Sequence, residues 1–240
     1  MRSQRLTAYD LALLASFAAL YALLSFLPLS QVIGLFSKAI TAANIIAPVV
    51  GIVLGAYLGA LSALFGGLIA LFFSPYFSPM GLAAGVVTAL CAGLLYSKRR
   101  FACVFIYFSL LFMFGFYPLI GPVWLYPPLL WFQVIVFIIL VSPIQSLALK
   151  SLNSKVSTKA FFGFFITFLT ATLAGQIAGS LVFEFISWPV TANLAVLRGY
   201  WQIVTFVYPV ERTFIAFGAA LLGLPVHRIL ISLKSIESND

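Results

Sequence analysis

Charge is scarce in this sequence: 8% of its 240 residues are Asp, Glu, Lys or Arg, against about 25% in an ordinary soluble domain. A chain so poor in charge cannot cover a water-facing surface, and 63% of it is apolar, with 25 Phe and a mean hydropathy of +1.16. Metal-ligating residues are equally few. There are two cysteines, Cys91 and Cys103, with no CxxC spacing, and one histidine, His227 beside Arg228. This set provides no metal site, and the cysteines read as small buried packers. HExxH, GxSxG and Walker A patterns are all absent, so no known hydrolytic or nucleotide-binding motif is present and no cofactor is implied. The balance of 13 Lys and Arg against 5 Asp and Glu gives +8, but these charges are too scattered to form a nucleic-acid face.

What is present is a series of apolar runs broken by Pro, Gly and charge. They predict an all-α, polytopic transmembrane helix bundle filling 1–240 as a single integral membrane domain, in the cell membrane with multiple passes. About eight spans are expected (six to eight), at 9–29, 39–55, 57–73, 81–97, 101–120, 129–149, 160–183 and 208–231. The first follows Arg2 and Arg5 as a signal peptide would, but it lacks a clear cleavage site and is read as a retained span. The uncharged stretch from Ala39 to Phe73 would run about 50 Å as one helix, too long for a hydrocarbon core of about 30 Å. A tight turn near Gly55-Ala56-Tyr57-Leu58-Gly59 is therefore expected to divide it. With eight spans and a cytosolic N-terminus, the inside collects Arg2, Arg5, Lys98, Arg99, Arg100, Lys150, Lys155, Lys159, Arg228 and Lys234. Lys38, Arg198 and Arg212 remain outside. The positive-inside rule then supports both the parity and two cytosolic termini.

Three patterns carry chemical content. Span one contains Ala15-x-x-x-Ala19 and Ala18-x-x-x-Ala22, a small-residue spacing that lets another helix approach closely, whether from this chain or from a partner. Span seven carries Thr172, Gln176, Ser180 and Glu184 at four-residue intervals. Lipid cannot satisfy such a stripe, so it faces either a watery cavity or neighbouring helices as polar glue. The segment from Glu184 to Arg212 mixes Trp188, Pro189, Asn193, Arg198, Tyr200, Trp201, Gln202, Tyr208, Pro209 and Glu211 at the outer side. It has the ingredients of a pocket for a small polar aromatic solute, and equally those of an interfacial aromatic belt. Arg212 lies about 24 Å along a helix from Arg228, at or within the outer hydrocarbon edge, where an unpaired charge needs a partner. Glu184, Glu211 or a ligand carboxylate could supply one. The loop holding Pro122, Trp124 and Pro127 is also outer, with Gln133 just beyond it.

The basic start and alanine-rich first span, the run Ile52-Val53-Leu54-Gly55-Ala56-Tyr57-Leu58-Gly59-Ala60-Leu61, and the ending from Glu211-Arg212-Thr213 to Gly223-Leu224-Pro225-Val226-His227-Arg228 resemble the substrate-binding S components of energy-coupling factor transporters. The likeness is clearest in the first hundred and last thirty residues. It implies a membrane-embedded specificity subunit that captures a vitamin or similar micronutrient, has no enzyme activity of its own, and joins a transmembrane coupling subunit and separate ATPase subunits. By position, Ala12, Ala15 and Ala19 would dock on the coupling subunit. By region, Trp124, Gln133, Glu184, Asn193, Arg198, Trp201, Tyr208 and Arg212 would bind the substrate. The chain departs from that family in showing eight apparent spans where six are usual, and Gly-Ala where a Gly-Pro turn is typical. Two rival readings remain: an intramembrane enzyme using Glu184, Glu211 and Arg212 on a lipid substrate, and a structural subunit of another membrane complex.

Overall fold

The computed structural model describes residues 7–34, 38–187 and 193–237, with side chains to 186 and 232 in the last two stretches. Arg2, Arg5, Trp188, Pro189 and the side chain of Lys234 lie outside the described residues. Helices dominate: α1 (Ala8–Leu24), α2 (Ala43–Leu54), α3 (Ala56–Phe73), α4 (Pro79–Tyr96), α5 (Arg100–Gly115), a single turn α6 (Pro122–Leu125), α7 (Trp131–Val141), α8 (Pro143–Ser151), α9 (Ser157–Ser187) and α10 (Leu194–Glu237). Four of them, α3, α4, α9 and α10, are long and apolar enough to cross a membrane. The bent pair Pro127–Val141 and Pro143–Ser151 adds a fifth if it counts as one span, and α1, α2 and α5 are shorter apolar helices. Outward-facing rings such as Phe72, Phe101, Phe206 and Phe214 are more than two-thirds exposed, an apolar coat that suits lipid rather than water.

Local chemistry sets the boundaries. Thr7 and Asp10 form a reciprocal capping box at the start of α1, satisfying two backbone donors that the first turn leaves free. Ser78 accepts from the Gly81 amide at 3.2 Å and Pro79 occupies the first turn of α4, where a missing N–H costs nothing. Pro143 cannot continue the ladder of α7, so the chain turns by 68° there and restarts as α8 on the Ser142 cap. At Gly55 the backbone has φ +81°, a conformation glycine adopts without steric cost. The chain reverses at this point, and a Cβ on Gly59 would lie 2.8 Å from the Gly51 Cα. The expected turn is therefore present, and α2 and α3 are separate helices.

The structure differs from the sequence reading in several places: the expected span 129–149 is broken by the bend at Ser142, the expected span 101–120 ends as a helix at Gly115, and two further differences are larger. Span one stops at Leu24 and is followed by a two-stranded antiparallel hairpin, β1 (Pro28–Gln31) and β2 (Ala39–Thr41), pairing Pro28 with Thr41 and Gln31 with Ala39. The hairpin is anchored below by Ala39 N donating to Tyr76 O at 2.9 Å and Lys38 Nζ to Pro75 O at 3.1 Å. The last helix begins at Leu194 rather than near 208, about 66 Å of continuous helix. Pro209 sits inside it, and its ring leaves the Thr205 carbonyl without the usual donor four residues on. Trp131 Nε1 donates to that carbonyl at 3.2 Å and so replaces the partner that the proline removes. Trp131→Phe removes the donor and should lower stability by about 1–3 kcal/mol, measured as a fall in the melting temperature of the detergent-purified protein. Equal melting of the two proteins would contradict this account.

Buried α9 is the central pillar, with Ala171, Leu173, Ala174 and Ile177 fully enclosed. The two ends of the bundle differ in charge. At one, Arg99 reaches Tyr57, Arg100 caps the end of α7 through Leu140 O and Ser142 O at 2.7 Å each, Tyr96 meets His227, and Arg228 donates to Ser157. The hairpin, Lys38, Glu184, Glu211 and Arg212 occupy the other end.

Candidate functional site

Beneath the hairpin lies a cleft with a void of about 60 Å³. Its roof is Gln31, Val32, Ile33 and β2, with Asn44 of α2 below Thr41. One wall is the start of α4 with Phe77 and Ser78 before it; the second is α9 through Gln176, Gly179, Ser180 and Phe183. The third is the outer part of α10, where Trp201, Val204, Tyr208, Glu211 and Arg212 recur at three- and four-residue steps and so share one helical face. Gly34 at the hairpin turn closes over Tyr200 and Phe183, whose ring atoms would be 3.0 and 3.3 Å from a Cβ there.

Five aromatic rings, those of Phe77, Phe183, Tyr200, Trp201 and Tyr208, line this space. Trp201 is fixed by an indole N–H donated to Ile120 O at 3.1 Å and by edge contacts with Phe114 and Phe183. Polar groups are arranged behind and between the rings. Gln133 donates to Gln176 at 3.1 Å, and Gln176 donates to Ser180 at 2.8 Å. Asn44 donates to the Thr41 carbonyl at 3.2 Å, and the Ser30 hydroxyl donates to the Glu211 carboxylate. This last contact ties the roof to α10.

Several polar atoms at or just behind the site have no hydrogen-bond partner among the described residues. The Thr41 hydroxyl, Glu211 Oε2 and Arg212 Nε are buried and unpaired, and neither carboxylate oxygen of Glu184 has a hydrogen bond. Arg212 itself is 5% exposed. Its guanidinium lies 6.0 Å from the centre of the Tyr208 ring, at the outer limit of cation–π attraction. An uncompensated arginine at membrane depth costs about 2.5–3.5 kcal/mol on insertion scales. Of the three partners the sequence allowed for Arg212, the two carboxylates are thus not hydrogen-bonded to it.

The expected substrate-binding residues divide into three groups. Trp201, Tyr208 and Arg212 line the cleft. Gln133 and Glu184 are buried behind it, Gln133 acting through Gln176 and Glu184 contributing no atom to the wall. Trp124, Asn193 and Arg198 lie elsewhere: Trp124 is exposed against Phe116, Asn193 caps α10 by accepting from Ala195 N at 3.0 Å, and Arg198 is exposed. The roof residues Gln31 and Thr41, with Asn44 and Ser78, were not singled out by the sequence. The four-residue stripe on α9 pointed to Gln176 and Ser180, while nothing in the sequence announced the roof.

The alanine patterns of α1 also separate. Ala18 and Ala22 are buried in the bundle, with the Ala18 carbonyl 2.4 Å from where a Gly66 Cβ would stand. Ala12, Ala15 and Ala19 face outward and are exposed. A second groove of about 510 Å³ lies between α5 and α9 among Phe112, Met113, Phe116 and Phe185; its lining is almost wholly apolar. Among the described residues, no three His, Cys, Asp or Glu side chains are grouped to hold a metal. No family model, curated protein or solved structure matches the chain.

Proposed function

We propose that the chain is the substrate-binding subunit of an ATP-powered uptake transporter, of the S-component kind that its sequence resembles, taking a vitamin or similar small solute. The observation that carries this reading is the roofed cleft at the end of the bundle opposite the cationic groups, lined by aromatic rings and by buried polar atoms awaiting partners. Such a lining suits a small flat solute with a few hydrogen-bonding groups. In this reading the helices make eight crossings, with α7 and α8 forming one bent span, and both termini are cytosolic. Lys98, Arg99, Arg100, Lys150, Lys155, Lys159 and Arg228 then lie inside and the cleft opens outside, in accord with the positive-inside rule. The exposed Ala12, Ala15 and Ala19 face is the docking surface for the coupling subunit, because small side chains let a second helix come close.

The lipid-enzyme reading requires two carboxylates acting together, and Glu184 has no atom on the cleft wall. No observation favours it. The test of the transporter reading is isolation of the tagged chain at native expression from its own host. The chain should co-purify with a membrane coupling subunit and two ATPases. Ala15→Trp, on an exposed face, should leave the chain folded but reduce that association by roughly tenfold or more, the effect of about 1.4 kcal/mol at an interface. A chain that behaves as a solitary protein, with no ATPase recovered, would contradict the proposal.

A further inference from the structure

Arg212 is the most conspicuous polar group of the cleft. It is nearly enclosed, it forms part of the wall, and its buried Nε has no acceptor among the described residues. Glu211, the neighbouring residue on α10, spends one carboxylate oxygen on Ser30 and leaves the other buried without a donor. The two opposite charges stand side by side on the wall, and neither uses the other as its hydrogen-bond partner.

We infer that the cleft takes a ring-bearing zwitterion of the aromatic α-amino-acid type, its carboxylate on Arg212 and its ammonium on Glu211. This rests on the receptor reading above and adds the chemical class of the solute. Arginine presents N–H groups in a fork that matches a planar carboxylate, and a carboxylate oxygen without a donor matches an ammonium. A ligand carrying only negative charge, such as a phosphate ester, would set its charge against Glu211 as well as Arg212. A purely cationic ligand would do the reverse. A molecule carrying both charges a few ångströms apart satisfies both side chains and crosses no net charge into a low-dielectric site. The remaining wall is aromatic, with Trp201 and Tyr208 on the same helix face, and it receives a flat ring by stacking or edge contact. The Thr41 hydroxyl, unpaired in the roof, is available to the polar end of the ligand.

The test uses the full-length protein in lipid nanodiscs and three matched series of probes. L-Tryptophan, L-tyrosine and L-phenylalanine are each compared with the amine lacking the carboxylate and with the acid lacking the amine, by equilibrium binding. At least one amino acid should bind, and removal of its carboxylate should weaken binding roughly 10- to 100-fold, the range for a charged hydrogen-bonded pair. Arg212→Gln should weaken the amino acid by a similar factor and no longer distinguish it from the amine. Arg212→Lys, which keeps the charge, should restore part of the loss. Glu211→Gln should show the mirror-image selectivity, losing its preference for the amine-bearing probe, and it keeps the test decisive should Arg212→Gln fail to fold. Binding that ignores both the carboxylate and Arg212 would overturn the zwitterion assignment, as would amines or acids binding where the amino acids do not; the receptor reading survives either result. Failure of every probe, together with no small molecule carried through purification, would overturn both.

Discussion

Gly51→Val should leave little folded protein. Gly51 lies where α2 crosses α4, and even a single Cβ there would sit 2.1 Å from the Ala89 carbonyl oxygen and 2.9 Å from its carbon. Those neighbours are backbone atoms in the middle of a helix, so no side-chain rotation relieves the clash. The helices would have to separate by more than an ångström, in a core where Ala89 and Val50 are fully packed. Overpacking of a tight core costs about 1–3 kcal/mol and sometimes more; with rigid backbone opposite, we expect the upper end or beyond. The measurement is the monodisperse fraction in size-exclusion chromatography together with the melting temperature. Gly199→Ala is the control: nothing lies within 4 Å of its Cβ position and it is inside α10. There the change should be neutral or stabilising by about 0.5–1 kcal/mol, the ordinary helical preference for alanine. A Gly51→Val protein that melts like the parent would show that α2 and α4 do not cross as described.

Trp201→Ala should have an effect of comparable size, and it bears on both the fold and the proposed function. The side chain is 2% exposed, and its removal leaves a cavity beside Phe114 and Phe183 and strips the Ile120 carbonyl of its donor. Large-to-small changes of this kind cost about 3–5 kcal/mol. Because the same ring is part of the cleft wall, the proposed receptor role predicts that solute retention falls with stability. Trp201→Phe separates the contributions: it keeps most of the ring packing and loses the hydrogen bond, so it should cost about 1–3 kcal/mol and retain some binding. If Trp201→Ala unfolds no more easily than the parent, the indole is not a structural link between α10 and the α5–α6 turn.

The sequence made some of this legible and hid the rest for physical reasons. Composition alone indicates helices suited to lipid. The α2–α3 reversal is readable because a charge-free stretch that long exceeds the hydrocarbon thickness and carries glycines where a reversal needs them. Tyr208 and Arg212 stand about two and three helical turns beyond Trp201, a spacing that shows in the sequence once that segment is taken as a helix. Its helical start was obscured because Pro209 reads as a break, and the indole that satisfies the freed carbonyl comes from Trp131, distant in sequence. The hairpin was hidden too: its strands are four and three residues long with an irregular register, too short for an alternating pattern. Trp124, Asn193 and Arg198 shared the aromatic and polar character of the cleft residues, but local needs place them elsewhere, as in the α10 cap that Asn193 provides.

The claim at the centre of this account is that the space beneath the hairpin is a receptor for one small molecule. Its most direct test is mass spectrometry of the compounds released when the full-length protein, purified from its own host in mild detergent, is denatured. One ring-bearing solute should be released in near-stoichiometric amount from the parent protein and be depleted from a folded Arg212→Gln variant. Release of phospholipid alone, or of the same compounds in the same amounts from both proteins, would contradict it.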